Sequence, residues 1–188
     1  LRFLGLLSHA GHAYGAPSLH DIGLVARAEA EILTTLADAA RAAGIGVAEL
    51  SVGSTPSARA SAGLPGLTEL RPGNYVYYDR TQVALGSASL DDCALTVVAT
   101  VVSKPAADRI ILDCGSKTLS SDLARGFGPV PGHGAIFASL ESSTVDESLL
   151  VERLSEEHAT VRVTTGTTAL EPGDRVRVLP NHSCVVSN

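Results

Sequence analysis

Two hydrophobic rhythms divide this chain, and the change between them near Leu90 restricts the folds open to it. Up to about residue 75, strand and helix signals alternate. Residues 1–8 are apolar, short and bounded by Gly and His, which predicts a buried parallel strand. A Gly/His/Pro-rich loop follows over 9–18. Ile22, Val25, Ile32, Leu33, Leu36, Ala40 and Ala43 then recur at helical spacing, which predicts a helix over 19–43 with one apolar stripe, stopped by Gly44 and Gly46. Residues 47–52 read as a second strand, a short helix starts at Pro56 or Ser57, and a third strand covers 67–70. This is the order of a parallel α/β fold. Some 75 residues are too few for a whole eight-stranded barrel of roughly 250 residues, and fit its last part.

After Leu90 the pattern shifts to short β-branched runs. Strands are expected over 94–102, 109–113, 132–139, 159–163 and 175–179, with Glu171-Pro172-Gly173-Asp174 as a turn and one helix over 149–157. The expected architecture is the C-terminal part of a (β/α)8 barrel over 1–78, then a mainly antiparallel β domain over 79–188, a small barrel or a sandwich. Residues 75–89 bridge the halves.

Composition narrows the function. Hydrophobic residues at 45% and charged residues at 18% exclude a disordered or fibrous chain. With 14 Lys+Arg against 20 Asp+Glu the net charge is −6, and no basic stripe offers itself to nucleic acid. The apolar runs at 3–7 and 94–102 are of strand length, far below the roughly 20 residues of a membrane span. There is no signal-peptide pattern. Three cysteines, Cys93, Cys114 and Cys184, suit reduced thiols in a cytoplasm better than a disulfide framework. The sequence contains no Met, opens inside an apolar run and closes just after Val185 and Val186, so it is expected to be an internal or C-terminal fragment, truncated at its C-terminus.

Three predicted strand ends in the first half carry polar groups. Gly53-Ser54-Thr55 follows the second strand, where backbone N–H groups and two hydroxyls can hold an anion such as phosphate or simply cap a helix. Arg71-Pro72-Gly73-Asn74 follows the third strand, as a plain turn or as further N–H donors to the same anion. His9, His12 and Tyr14 follow the first, as a solvated loop or as part of a site. The C-terminal ends of parallel strands share one functional face, so the three together weigh more than any one.

In the second half His182 and Cys184 stand two apart in a segment expected to be extended, which would point both to one side. Imidazole and thiolate are a natural zinc pair; a buried Cys beside a surface His is the plainer alternative. Cys93 and Cys114 read as core residues. Ser155-Glu156-Glu157-His158 ends the expected helix, and Asp113-Cys114-Gly115-Ser116-Lys117 is a strand end running into a turn.

Taken in order, His9-Ala10-Gly11-His12-Ala13-Tyr14, Gly53-Ser54-Thr55, Arg71-Pro72-Gly73-Asn74-Tyr75, Asp113-Cys114-Gly115-Ser116-Lys117, Ser155-Glu156-Glu157-His158 and Pro180-Asn181-His182-Ser183-Cys184 resemble the D-serine dehydratase and D-threonine aldolase family. These are pyridoxal-phosphate enzymes with the alanine racemase fold. The resemblance spans residue 1 to about 186. It implies that Gly53, Ser54, Thr55, Gly73 and Asn74 hold the cofactor phosphate. In the related racemases the Arg of Arg-Pro-Gly contacts the pyridine nitrogen, supported by a His from an earlier strand; Arg71 and His9 match those positions. Tyr14 would border the cofactor or substrate.

The resemblance also implies that His182 and Cys184 bind a divalent metal, zinc or manganese. The aldolase branch tends to carry Asp where Cys184 stands, so Cys184 favours a zinc-assisted lyase that eliminates water and ammonia from D-serine or a related D-3-hydroxy amino acid. D-threonine aldolase, which gives glycine and an aldehyde, is the first alternative. A racemase or a non-catalytic pyridoxal-phosphate-binding protein on the same scaffold is the second. The family's Schiff-base lysine belongs to the first barrel strand, upstream of this chain, so Lys104 and Lys117 are not given that role and the fragment alone is expected to be inactive. The partners implied are a D-amino acid substrate and, in the full-length protein, a second copy as a homodimer, with neither nucleic acid nor membrane.

Overall fold

The computed structural model describes residues 2–187. Leu1, where the expected opening strand begins, and Asn188 lie outside the described residues. The chain divides into two compact units: one comprises the residues up to Tyr75 together with Leu85–Ser87, the other Val76–Ala84 together with Ala88 onward.

The first unit is built on three parallel strands, β1 (Gly5–Leu7), β2 (Glu49–Val52) and β3 (Glu69–Leu70), in the order β1-β2-β3. Leu6 pairs with Leu50, and Val52 with Leu70. Helix α1 (Leu19–Ala42) runs between β1 and β2. Ser18 opens it from an extended backbone, its hydroxyl accepting from the Asp21 N–H at 3.2 Å. Gly44, at φ +82°, closes it in a left-handed conformation that a side chain resists. Arg41 in the last turn reaches the Val47 carbonyl through Nε and Nη2, fixing the return into β2. Leu33 and Ala37 pack on Val47, Leu50 and Val52.

The apolar stripe of α1 differs from the expected one. Its buried face is Ile22, Ala26, Ala30, Leu33 and Ala37, whereas Ile32 and Leu36 are more than half exposed. Ala26 and Ala30 are one helical turn apart and Ala37 lies two turns further on, with Leu33 between them on the same face. Ile32 and Leu36 sit on another face.

The second unit is a closed antiparallel barrel in the order β4-β5-β8-β7-β6-β9. Its strands are β4 (Val97–Ala106), β5 (Arg109–Leu112), β6 (Ala135–Phe137), β7 (Val145–Leu154), β8 (Ala159–Val163) and β9 (Arg175–Leu179). Inward residues alternate along five of the strands: Ala99 and Val101, Ile110 and Leu112, Leu149 and Val151, Val161 and Val163, Val176 and Val178; β6 is buried at all three of its positions. Each large aliphatic side chain removed from water there contributes about 1.5–3 kcal/mol. Closure leaves no strand edge unpaired. The Glu171–Asp174 turn forms as expected, with Gly173 at φ +102°.

One expected element is wrong. Residues 149–157 are not a helix; Val145–Leu154 is β7, paired with β6 on one side and β8 on the other. Leu, Glu and Arg favour a helix locally, but the barrel requires a strand here, and burial of Leu149 and Val151 at alternate positions decides it. Among the described residues no helix is long and apolar enough to cross a membrane.

Candidate functional site

Hydrogen bonds tie together the three strand ends of the first unit. His9, just past β1, places Nδ1 2.7 Å from the Gly53 carbonyl past β2. A carbonyl can only accept, so Nδ1 is the donor. Arg71, past β3, donates through Nη2 to the Ser8 carbonyl and through Nε to Ser51 Oγ at 2.7 Å. Ser51 in turn donates to the Glu69 carboxylate. The Asn74 N–H donates to Thr55 Oγ1 at 3.0 Å. His9, Gly53, Thr55, Arg71 and Asn74 therefore form one cluster at the C-terminal ends of the parallel strands, the face on which such sheets carry their ligands.

The donors in this cluster suit a phosphate. Ser54 and Thr55 are buried hydroxyls, Ser54 Oγ lying 2.8 Å from Ser57 Oγ. Gly73 is exposed, and a Cβ there would meet no atom within 4 Å. Helix α2 (Ala58–Ser61) is a single turn, so loop N–H groups rather than a helix dipole would carry the negative charge. Tyr14 is half-buried in the 3-10 turn Gly11–Gly15 that follows His9. Beneath that turn Glu29 of α1 is buried and accepts the Ala10 N–H at 2.9 Å. Sequence alone did not single out Glu29, Ser51 or Ser8, because an acidic residue on a long helix, a serine in a strand and a main-chain carbonyl carry no motif.

In the second unit, His182 and Cys184 follow β9. The segment is not extended as expected: His182 has an extended backbone, but Cys184 lies in the one-turn helix α3 (Ser183–Val186). The two side chains therefore do not share a face by strand alternation. His182 Nδ1 lies 2.6 Å from Asp122 Oδ2, which leaves Nε2 available. Cys184 is exposed and in no disulfide. An imidazole held by a carboxylate and an exposed thiol are both ligand types that zinc takes. Among the described residues no cluster of three or more His, Cys, Asp and Glu side chains stands ready to hold a metal.

The remaining thiols are of another kind. Burial, with Asp79 and Asp92 adding to it, pushes the Cys93 thiol up to about 12. Burial and Asp113 do the same to Cys114, also to about 12, against a small opposing effect of its own backbone hydrogen bond. Cys114 is buried in the barrel core, whereas Cys93 is partly buried beside a smaller cluster.

Two further sequence motifs prove to be a joint between strands. Asp113–Lys117 and Ser155–His158 pack on one another: the Ser116 N–H donates to the Ser155 carbonyl at 2.8 Å and the Lys117 N–H to the Glu156 carbonyl at 3.1 Å. Ser155 and His158 close the tight turn from β7 to β8. Lys117 is ion-paired with Glu156 and Glu157, which hold it in its charged form. Lys104 is engaged by Glu171 and the Thr168 carbonyl.

Known proteins resemble this arrangement. Residues 94–188 match the model of a family described as a putative serine dehydratase domain. The chain is 30% identical to D-serine dehydratase of Dictyostelium discoideum over 99% of this chain and 49% of that protein. It is 33% identical to D-threo-3-hydroxyaspartate dehydratase of Delftia sp. over 98% of this chain and 50% of that protein. The solved structure of the Delftia enzyme superposes with a TM-score of 0.88, covering 99% of this chain and 51% of that one, and a cysteine-to-alanine mutant of it is described in a metal-free form. An alanine racemase-like protein from Idiomarina loihiensis superposes with a TM-score of 0.90 at 26% identity, covering 98% of this chain and 50% of that one. The chain thus spans about half the length of the relatives it matches.

Proposed function

The chain belongs to the family of D-serine dehydratases and D-threonine aldolases, with the alanine racemase fold, and from that premise we propose that the full-length protein is a pyridoxal-phosphate- and divalent-metal-dependent lyase. It eliminates water and ammonia from D-serine or a related D-3-hydroxy amino acid. In this reading residues 1–78 end the cofactor-binding barrel and 79–188 form the metal-bearing β domain. The observation that carries the lyase reading over a racemase is the His182–Cys184 pair, with the imidazole held by Asp122 and the thiol exposed. A racemase has no use for it.

When bound, pyridoxal phosphate would withdraw electrons from the substrate Cα, and the metal would act as a Lewis acid toward the β-hydroxyl. The residues of this chain have distinct tasks. Gly53, Ser54, Thr55 and Gly73 would offer N–H or hydroxyl donors to the cofactor phosphate, and Asn74, whose backbone N–H goes to Thr55 Oγ1, would complete the cradle beside them. Arg71 is held by Ser8 and Ser51 and would present its other N–H groups to the ring nitrogen, which stays unprotonated because guanidinium accepts no proton. His9, fixed by the Gly53 carbonyl, supports that side of the site, and Tyr14 would line it. His182 Nε2 and the Cys184 thiolate would ligate the metal. Neither lysine of the chain is suited to bind the cofactor covalently: Lys117 is held charged by Glu157 and Glu156, and Lys104 is tied to Glu171. That lysine would come from outside these residues.

Incubating the full-length protein with pyridoxal phosphate, zinc and D-serine or D-threo-3-hydroxyaspartate tests the reading. A 2-oxo acid and ammonia should appear. Their absence with both substrates contradicts the dehydratase. Glycine and an aldehyde from D-threonine would assign the aldolase activity instead.

A further inference from the structure

This inference rests on the metal reading of His182 and Cys184. We propose that Asp122 is a positioning residue of that site, whose carboxylate fixes the His182 ring and tautomer so that Nε2 faces the cation.

The bond from His182 Nδ1 to Asp122 Oδ2, 2.6 Å long, joins residues 60 apart in sequence. Both side chains are about half exposed, at 41% and 52%. An exposed pair of this kind adds little to stability, so the fold gains little from it. The effort spent on holding the two groups is large by comparison. Asn181, fully buried, donates through Nδ2 to the Asp122 carbonyl at 2.9 Å and to the Gly132 carbonyl at 3.0 Å. Its own carbonyl accepts from Thr81 Oγ1 at 2.9 Å. On the other side of His182, the Ser183 N–H donates to Asp79 Oδ2 at 2.9 Å in a buried contact. The Asp122 N–H is held by Ser120 Oγ at 3.1 Å, and Ser120 itself sits at φ +64°, a backbone state that a serine enters only at some cost.

His182 is therefore clamped between two anchored neighbours, and the residue that Asn181 grips by its backbone is the one that grips His182 by its side chain. Exposed groups held in one geometry by buried neighbours fit a ligand site better than a stabilising contact. A metal-binding histidine commonly gives its second N–H to a carboxylate, which selects the tautomer, aims the ring and makes the free nitrogen a better donor. Losing such a partner weakens metal binding about 10–100-fold.

The test is the zinc affinity of the full-length protein, measured by competition with a chromophoric chelator, in the wild type and in Asp122→Ala, Asp122→Asn and Cys184→Ala. Asp122→Ala should bind zinc about 10–100-fold more weakly, with an unchanged melting temperature in the absence of metal. Asp122→Asn keeps an acceptor oxygen for Nδ1 and should recover part of the loss. Wild-type affinity in both Asp122 variants, with Cys184→Ala impaired, overturns the positioning role and leaves the metal reading standing. A metal-free melting temperature that falls in step with affinity makes Asp122 structural and also overturns it. Equal zinc binding in wild type and Cys184→Ala removes the metal reading itself, and this inference with it.

Discussion

A Cβ added to Gly53 would sit 2.9 Å from the backbone nitrogen of Arg71. Two of the strand ends that form the hydrogen-bonded cluster thus approach more closely than any side chain allows. Gly53 is also at φ +137°, where a Cβ is strained whatever the space. Gly53→Ala is expected to cost about 1–3 kcal/mol and to weaken pyridoxal-phosphate binding, because it separates the Gly53 carbonyl that holds His9 from the Arg71 backbone. Cofactor titration followed by absorbance, beside a thermal melt, reads both effects. Unchanged cofactor affinity would remove the loop from the site.

Arg71 bonds to two strands at once, the Ser8 carbonyl and Ser51 Oγ. A lysine offers a point charge with no planar fork and cannot make both bonds in the same geometry. Arg71→Lys should lose about 1.5–3 kcal/mol in urea denaturation and shift the absorption of the bound cofactor. A variant with wild-type stability and spectrum would show that neither bond matters.

The three thiols should separate by reactivity. Cys93 and Cys114, raised to about 12 by burial and neighbouring carboxylates, stay protonated at pH 8, while Cys184 is exposed. Brief treatment with iodoacetamide, read peptide by peptide in a mass spectrometer, should modify Cys184 alone, and zinc should protect it. The sign of the pH effect follows. Folded thiols near 12 against an ordinary 9.0 in the unfolded chain stabilise the fold fully below about pH 9, and that contribution fades as pH rises toward 12. Early labelling of Cys114 in the folded protein would contradict this.

The strand order was not legible in the sequence, because it is set by pairings between segments distant in sequence. Most strand positions were legible, because burial on one face leaves a period of two, as at Ile110 and Leu112 or Val176 and Val178. The exception was β7, where Leu149, Leu150, Glu152 and Arg153 carry helical preference and only the pairing with β6 and β8 imposes the strand. The strand-end cluster was legible as three separate motifs; its bonds were not, since Ser8 and Gly53 contribute main-chain carbonyls. Asp122 left no trace, because nothing within a few residues of it in sequence points to His182, 60 positions away.

Gly115 explains why two motifs in the second half travel together. A Cβ there would lie 2.2 Å from the Glu156 carbonyl oxygen. Gly115→Ala should destabilise the barrel by about 1–3 kcal/mol through overpacking, without a direct effect on zinc affinity. Chemical denaturation and zinc titration of the same variant check the two halves of that statement. A loss of zinc binding at full stability would give this joint a functional role.

The central claim is that the His182–Cys184 pair brings a metal to the elimination reaction. Its most direct test is pyruvate release from D-serine by the full-length, pyridoxal-phosphate-loaded protein, compared between wild type and Cys184→Ala with and without zinc. Pyruvate that depends on zinc in the wild type and vanishes in Cys184→Ala is the expected result. Equal release from both proteins, indifferent to zinc, would contradict it.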